Sequence, residues 1–484
     1  MSSPSQPSPA PSANAFEPNR SRLFLVSVLA LVSAGMAFSL RTSIAGDLET
    51  TFLKPINPTG SGEMLGSVLG ISFLGFAVTI AIGSLLLDVL GMGRMLLLAS
   101  LCFLGGTGLI LTTPQSAGAY DWLYFGCLIS GVAWGLVETV INPLTATLYP
   151  TDKTHKLNVL HAWWPGGLII GGVLGLLIGE LNLSWQFKYA LVFLPALVFG
   201  VLCLTTRFPA TERAAAGVST GTMAKQMGRP LFIVFFFAMF LTAAAELAPG
   251  QWVDFALTRT TGMQGIWLLI YISGIMFFMR HFAGAFSHRM SPVGVLWTSC
   301  LLAAIGLVAL SKANSPVTAL LAATIWGTGV CFMWPTMLAA ASERFPKGGA
   351  LLMGLMGTAG TTSIWFFLPK MGGIYDQAKL ALAAGQDPGN PAVLMLTAIG
   401  HGVQAILHIG GNAAASPEAT KALADLTALA ATDTAAKAKL DAILVQSSQI
   451  SFAAVAVLPA MLLVVFGAIW LYDRSRGGYK PEQI

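Results

Sequence analysis

Long apolar stretches alternate with short polar ones along most of the chain. Each apolar stretch is close to the length of about 20 residues that a helix needs to cross a bilayer. The stretches cover residues 23–46, 64–87, 93–112, 122–149, 159–179, 187–206, 231–253, 265–287, 293–311, 317–341, 348–370 and 450–472. This pattern predicts an all-α polytopic membrane protein with twelve transmembrane helices.

Two polar segments interrupt the pattern. Residues 207–230 separate the first six stretches from the last six, and residues 371–449 are rich in alanine with scattered acids and lysines. The second segment contains good helix formers but no apolar run of membrane length, which predicts a partly helical insertion outside the membrane. The predicted units are a disordered tail 1–21, a six-helix half 22–206, a linker 207–230, a second half 231–472 that includes the insertion 371–449, and a tail 473–484.

The composition excludes several classes of protein. Hydrophobic residues make up 55% of the chain and charged residues 10%, whereas soluble domains carry about 25% charged residues. The net charge of +5 forms no basic stripe, so no nucleic-acid partner is expected. Neither a catalytic motif nor metal-ligand or cofactor spacing is present, and the five cysteines lie in apolar stretches without CxxC spacing. We therefore expect neither an enzyme nor a cofactor-binding protein.

Lysine and arginine are unevenly divided between the two sides of the predicted bundle. With the amino terminus inside, the short outer loops hold only Lys54, Lys188, Arg259 and Lys312. The positive-inside rule then places both termini in the cytoplasm and the insertion outside. The first twenty residues lack an apolar signal region. The expectation is a monomeric, multi-pass protein of a bacterial-type inner (plasma) membrane.

An ionisable residue at the bilayer centre costs at least about 2.5 kcal/mol, so each one needs a partner or a function. In the fourth stretch, helical spacing places Trp134, Glu138 and Asn142 on one face. Asn142 precedes Pro143, which frees a backbone carbonyl within the helix. This face predicts a proton-coupling carboxylate beside a solute site. The alternative is a structural glutamate paired with an arginine of a neighbouring helix.

The first and seventh stretches carry further charges. Glu246 precedes Pro249-Gly250, where we expect the helix to bend or unwind, and Gln251 and Trp252 follow with hydrogen-bonding and stacking groups. The alternative for Glu246 is an interfacial position at a helix end. Arg41 lies in the outer third of the first stretch, where it would pair with a carboxylate, bind a substrate or reach the headgroups.

Aromatic residues accompany polar ones in three other stretches. His161 and Trp164 share the fifth, Trp334 lies in the tenth, and Thr361 and Trp365 share the eleventh. Indole faces suit the apolar face of a sugar ring, and polar side chains suit its hydroxyls. These residues are therefore predicted to bind a sugar-like solute, although each tryptophan alone is also compatible with a packing role.

The two halves share weak internal similarity. Asp88 to Arg94, between the second and third stretches, is echoed by Gly284 to Pro292, between the eighth and ninth. Duplicated halves place the solute site of a secondary transporter near the midplane, between the repeats. The charged residues at and beside these loops are predicted to gate the cytoplasmic side: Asp88, Arg94, Arg280 and Arg289.

These loops resemble the signature loop of the major facilitator superfamily. Within it, Glu138 with Asn142-Pro143, and Glu246 with Gly250-Gln251-Trp252, resemble segments of the fucose/glucose/galactose–proton symporter family. The resemblance implies two pseudo-symmetric six-helix halves. It also implies that Glu138 carries the proton and that Asn142, Glu246 and Trp252 line the cavity.

The leading hypothesis is thus a sugar–proton symporter that works by alternating access. Members of the fucose type carry a second acid in the first helix, where this chain has Ser39, Arg41 and Thr42. Coupling through one acid, coupling to sodium and uncoupled diffusion therefore stay open. Two further hypotheses are nucleoside uptake or drug and lipophile efflux, and a non-transporting sensor or scaffold that uses the 371–449 insertion.

Overall fold

The computed structural model describes residues 17–56, 61–215, 217, 219–261, 265–283, 289–406 and 417–482. These residues form helices joined by turns, and none of them lies in a β-strand. The tail predicted for residues 1–21 falls largely outside the described part of the chain.

Twelve long helical segments follow the order of the predicted stretches. They are α1 Glu17–Ser43, α2 Ser61–Leu90, α3 Met92–Leu111, α4 Ala119–Leu148, α5 Lys153–Glu180, α6 Trp185–Thr205, α7 Pro230–Thr261, α8 Gly265–His281, α9 Pro292–Leu310, α10 Pro316–Arg344, α11 Gly349–Ala383 and α12 Thr434–Ser475. Shorter helices connect them: Ala45–Leu48, the π-helix Glu49–Leu53, Glu212–Ala215, Thr220–Met227, the 3-10 turn Pro346–Gly348, Pro391–Ile406 and Pro417–Leu429.

Counted over the described residues, ten of the long segments are long and apolar enough to cross a membrane, which makes the chain a multi-pass membrane protein. The other two are α8, which has 17 residues, and α11, which is rich in glycine, serine and threonine. A count of twelve crossings therefore stays a prediction. Large apolar side chains on the outer surface of the bundle are exposed as lipid contact requires, among them Leu74, Val89, Leu204 and Val464.

Each half has its own apolar core. One core is built from α1 to α6 with a few residues of α10 and α11, and the other is built mainly from α7 to α12. Glycines allow close packing inside each half. A Cβ on Gly131 of α4 would lie 2.1 Å from the Ser72 carbonyl oxygen of α2, and one on Gly306 of α9 would lie 2.3 Å from the Trp326 nitrogen of α10. The halves meet where α2 packs on α11 and where α5 packs on α8 and α10.

Three of the long segments are interrupted. Helix α6 is broken between Ala190 and Phe193, α10 between Val330 and Met333, and α12 at Ala456. Helix α7, in contrast, is continuous through Pro249, so the unwinding expected there from the sequence is not observed. A membrane helix tolerates an internal proline when other groups satisfy the freed carbonyl.

The segment between α11 and α12 is shorter than the insertion 371–449 that the apolar pattern predicts. Helix α11 extends to Ala383 and α12 begins at Thr434, because alanine-rich sequence remains helical after its hydrophobicity falls. Between them, helices Pro391–Ile406 and Pro417–Leu429 pack against α11 and α12. Residues 407–416 of the predicted insertion lie outside the described residues.

Candidate functional site

A cavity lies between the two halves, near the middle of the long helices. Its empty volume is about 1150 Å³, which includes the part open to solvent. Most of its lining is apolar or aromatic, and six side chains contribute polar groups: Glu138, His161, Glu246, Ser273, Arg280 and Thr361. Both halves supply lining residues, which is the arrangement that the sequence predicts for the solute site.

Glu138 of α4 is held by neutral groups. The side chain is 5% exposed, and Asn142 donates its Nδ2 to the Glu138 Oε2 at 2.8 Å and to the Glu138 carbonyl at 2.9 Å. The Asn142 Oδ1 lies 2.7 Å from the Nε2 of His161 on α5. That nitrogen is 4.0 Å from the Glu138 Oε2, and within the described residues no lysine or arginine forms an ion pair with Glu138. The structural pairing with arginine, considered as an alternative, is thus not observed there.

Glu246 of α7 has a fixed cation beside it. Arg280 of α8 donates its Nη2 to the Glu246 Oε1 at 3.1 Å, and the two side chains are 2% and 6% exposed. Two backbone carbonyls also accept hydrogen bonds from Arg280: Nε donates to Cys331 in α10, and Nη1 donates to His161 at 2.8 Å. The His161 contact crosses between the halves. Arg280 therefore lines the cavity between the halves, whereas its predicted gating role would place it near the cytoplasmic surface.

Three prolines explain why these carbonyls are free. A proline has no N–H to donate to the carbonyl four residues earlier. Pro165 thereby frees the carbonyl of His161, Pro335 frees that of Cys331, and Pro249 frees that of Ala245, which accepts the Trp326 Nε1 at 3.3 Å. Each freed carbonyl beside the cavity is thus satisfied by a side-chain N–H from another helix.

Aromatic rings form the wall of the cavity on the side of the first half. Trp134 is stacked between Phe76, with ring centroids 4.3 Å apart, and Trp164, with centroids 4.4 Å apart. Phe38 packs obliquely on Trp164 at 5.9 Å. One face of Trp164 is therefore already covered by Trp134, so stacking of a sugar on this indole is limited to its other face and its edge.

The structure brings together six of the residues predicted to couple protons or bind solute. Glu138, His161, Trp164, Glu246, Trp334 and Thr361 all line the cavity. Asn142 is buried behind Glu138 and does not line it. The side chains of three further predicted solute-binding residues lie outside the described part of the structure: Gln251, Trp252 and Trp365.

Arg41 is separate from the cavity lining. It is buried among the helices of the first half, where its Nη2 donates to the Ser72 Oγ at 3.0 Å. Its side chain points from α1 towards α2. The described structure therefore offers no contact between Arg41 and a solute in this cavity.

The predicted gating residues are dispersed. The Asp88 carboxylate accepts a hydrogen bond from Thr211 of the linker at 2.6 Å, whereas Arg94 and Arg289 are exposed. Contacts between the halves lie closer to the cavity, where Thr154 donates to Glu343 at 2.7 Å and Asn158 donates to Thr336 at 3.1 Å. These two bonds separate the cavity from the end of the bundle that carries both termini.

The same end of the bundle holds a network of charged residues near the carboxyl terminus. Arg229 donates Nη1 and Nη2 to the two oxygens of Glu482 at 2.8 and 2.5 Å. Hydrogen bonding from Arg229 holds the pKa of the Glu482 carboxyl below its usual value. Tyr479 donates to Glu343 at 2.5 Å, and burial raises the pKa of its phenol.

Sequence reasoning missed the interruption of α10 and its role at the site. The second part of α10, Met333–Arg344, begins directly after the break, and Trp334 in its first turn lines the cavity. The signal was Pro335, because a proline four residues after a buried carbonyl marks an acceptor that another helix must satisfy. Ring partners such as Phe76 gave no such signal. Among the described residues, no group of three or more potential ligands could hold a metal ion.

Comparison with known proteins identifies the fold. The family model of the Major Facilitator Superfamily matches residues 20–369. The E. coli proton:xylose symporter XylE is similar in structure, with a TM-score of 0.65 and 16% identity over 84% of this chain and 99% of that one. The E. coli fucose:proton symporter FucP has a TM-score of 0.61 and 14% identity over 91% and 99% of the two chains.

A transporter with a different kind of substrate shares the same fold. The human organic anion transporter MFSD10 has a TM-score of 0.58 and 14% identity, with 92% of this chain and 99% of that chain covered. A search of curated protein sequences found no match. At these identities the likenesses establish the fold alone.

Proposed function

The chain belongs to the major facilitator superfamily and is therefore a membrane transporter, and on that premise we propose that it takes up a neutral sugar or sugar-like solute together with a proton. Glu138 carries the proton, and the halves move about the cavity by alternating access. The protein lies in a bacterial-type inner membrane with both termini in the cytoplasm, as its lysines and arginines favour.

The contrast between the two acids of the cavity carries this proposal. Glu246 has its charge compensated by Arg280, whereas Glu138 accepts from the neutral Asn142 amide and forms no ion pair with a lysine or arginine of the described residues. A buried carboxylate without a fixed cation is costly while it is ionised, so protonation relieves that cost. Glu138 is accordingly the acid whose charge can change during a transport cycle.

The charge of the lining indicates a neutral solute. Because Arg280 offsets Glu246, the lining carries one negative charge when Glu138 is ionised and none when Glu138 is protonated, as long as the ring of His161 is neutral. A neutral solute and a proton thus cross together without leaving an uncompensated charge in the cavity. Hydroxyls can donate to the two carboxyl groups, and the tryptophans pack against an apolar ring face.

Proteoliposome uptake tests the proposal. The probes are labelled D-xylose, L-fucose and D-glucose, each with an imposed proton gradient, an imposed sodium gradient or neither. We expect accumulation of at least one sugar to require the proton gradient. In Glu138→Gln that accumulation falls to the level without a gradient, while sugar exchange between the two sides of the membrane continues.

Glu180→Gln is the matched control, because Glu180 is an exposed acid at the end of α5. It should accumulate sugar as the wild type does. Full gradient-driven accumulation by Glu138→Gln would contradict the proposed proton carrier. Accumulation driven only by sodium would contradict proton coupling and leave the transport of sugar intact.

A second candidate function follows from the apolar lining. Fourteen of the twenty lining residues have no polar side-chain group other than an indole N–H, which also suits nucleosides or lipophilic compounds. Thermal-shift binding of nucleosides and of lipophilic dyes, measured beside the three sugars, distinguishes the two. Stabilisation by these compounds without stabilisation by any sugar would favour the second candidate.

A further inference from the structure

One chain of hydrogen bonds joins the two acids of the cavity, and His161 is its central member. From Glu138 the bonds run to Asn142, then to the ring of His161. From the backbone carbonyl of the same residue they continue to Arg280 and Glu246. The ring of His161 binds Asn142 of the first half, and its carbonyl accepts a hydrogen bond from Arg280 of the second half. His161 and Arg280 are the two members of this series of bonds that join one half to the other.

The hydrogen-bond partners determine the tautomer of the His161 ring. The Asn142 Nδ2 lies 2.9 Å from the Glu138 backbone carbonyl, which is an acceptor in every protonation state of the side chain. The amide must therefore direct its NH₂ group at Glu138 and its Oδ1 at His161. Because Oδ1 can only accept, the His161 Nε2 must carry a proton and donate across 2.7 Å.

A second proton on this ring is disfavoured. The ring is buried, and the Arg280 guanidinium binds the carbonyl of the same residue, so a ring cation would be desolvated beside a permanent positive charge. The other charged groups at the cavity are Glu138 from α4, whose Oε2 is 4.0 Å away, and Glu246 from α7, which is already paired with Arg280. The ring is thus expected to remain neutral, with the proton on Nε2.

The carbonyl of His161 is available because of Pro165. In an uninterrupted helix the nitrogen of residue 165 would donate to it, and proline cannot. Arg280 donates to the His161 carbonyl instead, and this bond connects α5 of one half to α8 of the other. Among the four hydrogen bonds that connect Glu138 to Glu246, this is the one that joins the two halves. Movement of the halves apart at the cavity must therefore stretch or break it.

We propose that His161 is a positioning residue that couples the proton site to the movement of the halves. Its neutral ring holds the Asn142 amide against Glu138, and its proline-freed carbonyl holds Arg280. The inference rests on the proposed function, because it takes Glu138 to be the proton carrier. His161 itself neither carries the proton nor needs to contact the solute.

The first test is spectroscopic and needs no solute. Protein with ¹⁵N-labelled histidine is placed in lipid bilayers, and solid-state NMR signals of His161 are assigned by their loss in His161→Gln. We expect a neutral ring with the proton on Nε2 between pH 5 and pH 8. A ring protonated on Nδ1, or a ring that becomes cationic within this range, would overturn the proposal even if proton-driven transport is found.

The second test separates coupling from transport. With D-xylose, L-fucose and D-glucose as probes, His161→Leu should lose about ten-fold more in proton-driven accumulation than in sugar exchange, since one buried hydrogen bond is worth about 1.5 kcal/mol, roughly ten-fold. His161→Gln, which keeps an N–H donor, should regain most of the accumulation. His401→Leu is the control, because His401 is exposed on Pro391–Ile406.

The carbonyl is tested through its proline. Pro165→Ala restores a backbone donor to His161 that competes with Arg280, and it should lower accumulation several-fold relative to Pro459→Ala. Pro459 follows the interruption of α12 and does not line the cavity. Equal behaviour of these two variants, or wild-type accumulation by His161→Leu, would overturn the proposal. If accumulation by the wild type does not depend on the proton gradient, the proposed function is contradicted, and the coupling role of His161 is contradicted with it.

Discussion

Two buried carboxylates face the same cavity from opposite halves, and their surroundings differ in one respect. Glu138 and Glu246 are almost equally buried, at 5% and 6% exposed. A neutral amide binds Glu138, whereas a guanidinium binds Glu246. Equal burial therefore does not imply an equal role.

The partner of a buried acid determines whether the charge of that acid is fixed. Arg280 donates hydrogen bonds to acceptors on three helices, so its pair with Glu246 is part of the framework of the cavity. Glu138 has no such anchor in the described structure. The proposed proton coupling requires an acid whose charge is not fixed, and of these two acids Glu138 meets that requirement.

The largest expected effect distinguishes the two acids by stability. Glu246→Gln leaves the Arg280 charge buried without its partner, and the loss should be about 3–5 kcal/mol. Glu138→Gln removes no ion pair and keeps a group of the same shape, so we expect a change below about 1 kcal/mol. Unfolding titrations in mixed micelles measure both.

Removal of both members of the ion pair sharpens this prediction. The double variant Glu246→Gln with Arg280→Met should recover most of the stability that Glu246→Gln loses, because no unpaired charge remains. Equal destabilisation by Glu138→Gln and Glu246→Gln would show that the ion pair does not distinguish the two acids.

A smaller effect is expected when the charge of Arg280 is kept and its shape is changed. Lysine cannot present the planar fork with which Arg280 binds Glu246 and two carbonyls. Arg280→Lys should therefore lose about 1.5–3 kcal/mol, the value of a hydrogen bond to a charged group. Arg476→Lys, at an exposed arginine, is the matched control in the same titration. A loss no greater than that of the control would show that the fork geometry is unimportant.

The smallest effect is expected at the exposed ion pair near the carboxyl terminus. Arg229 and Glu482 are 35% and 47% exposed, so the pair should contribute about 0.2–1 kcal/mol at neutral pH. The pKa of Glu482 is lowered in the folded protein, so this contribution is present above the unfolded value of about 4.3 and is lost as pH falls through the folded value.

The matching measurement is the difference in melting temperature between wild type and Glu482→Gln. It should be small at pH 7 and should vanish as the pH is lowered below 4. A difference that grows on acidification would contradict the sign of this prediction.

The apolar pattern and helical spacing predicted much of the fold and part of the site. The order of the long helices follows from apolar length alone, and the face shared by Trp134, Glu138 and Asn142 follows from the helical repeat. Helix ends were less accurate, because the ends of α11 and α12 depend on helix propensity where hydrophobicity has already fallen.

The direction in which a helix turns its charged residues could not be predicted. Arg41 and Arg280 have similar chemistry, yet one turns into the first half and the other faces the cavity. That difference depends on which helices pack together, and neither residue's neighbours along the chain reveal it. The prolines do carry part of this information: Pro165 and Pro335 mark the carbonyls that Arg280 binds.

The most direct test of the central claim is infrared difference spectroscopy of the protein in lipid between pH 5 and pH 8. We expect a protonated carboxyl band within this range to belong to Glu138, so that it disappears in Glu138→Gln and persists in Glu246→Gln. A band that persists in Glu138→Gln and disappears in Glu246→Gln would show that the ion-paired acid binds the proton and that Glu138 is not the proton carrier.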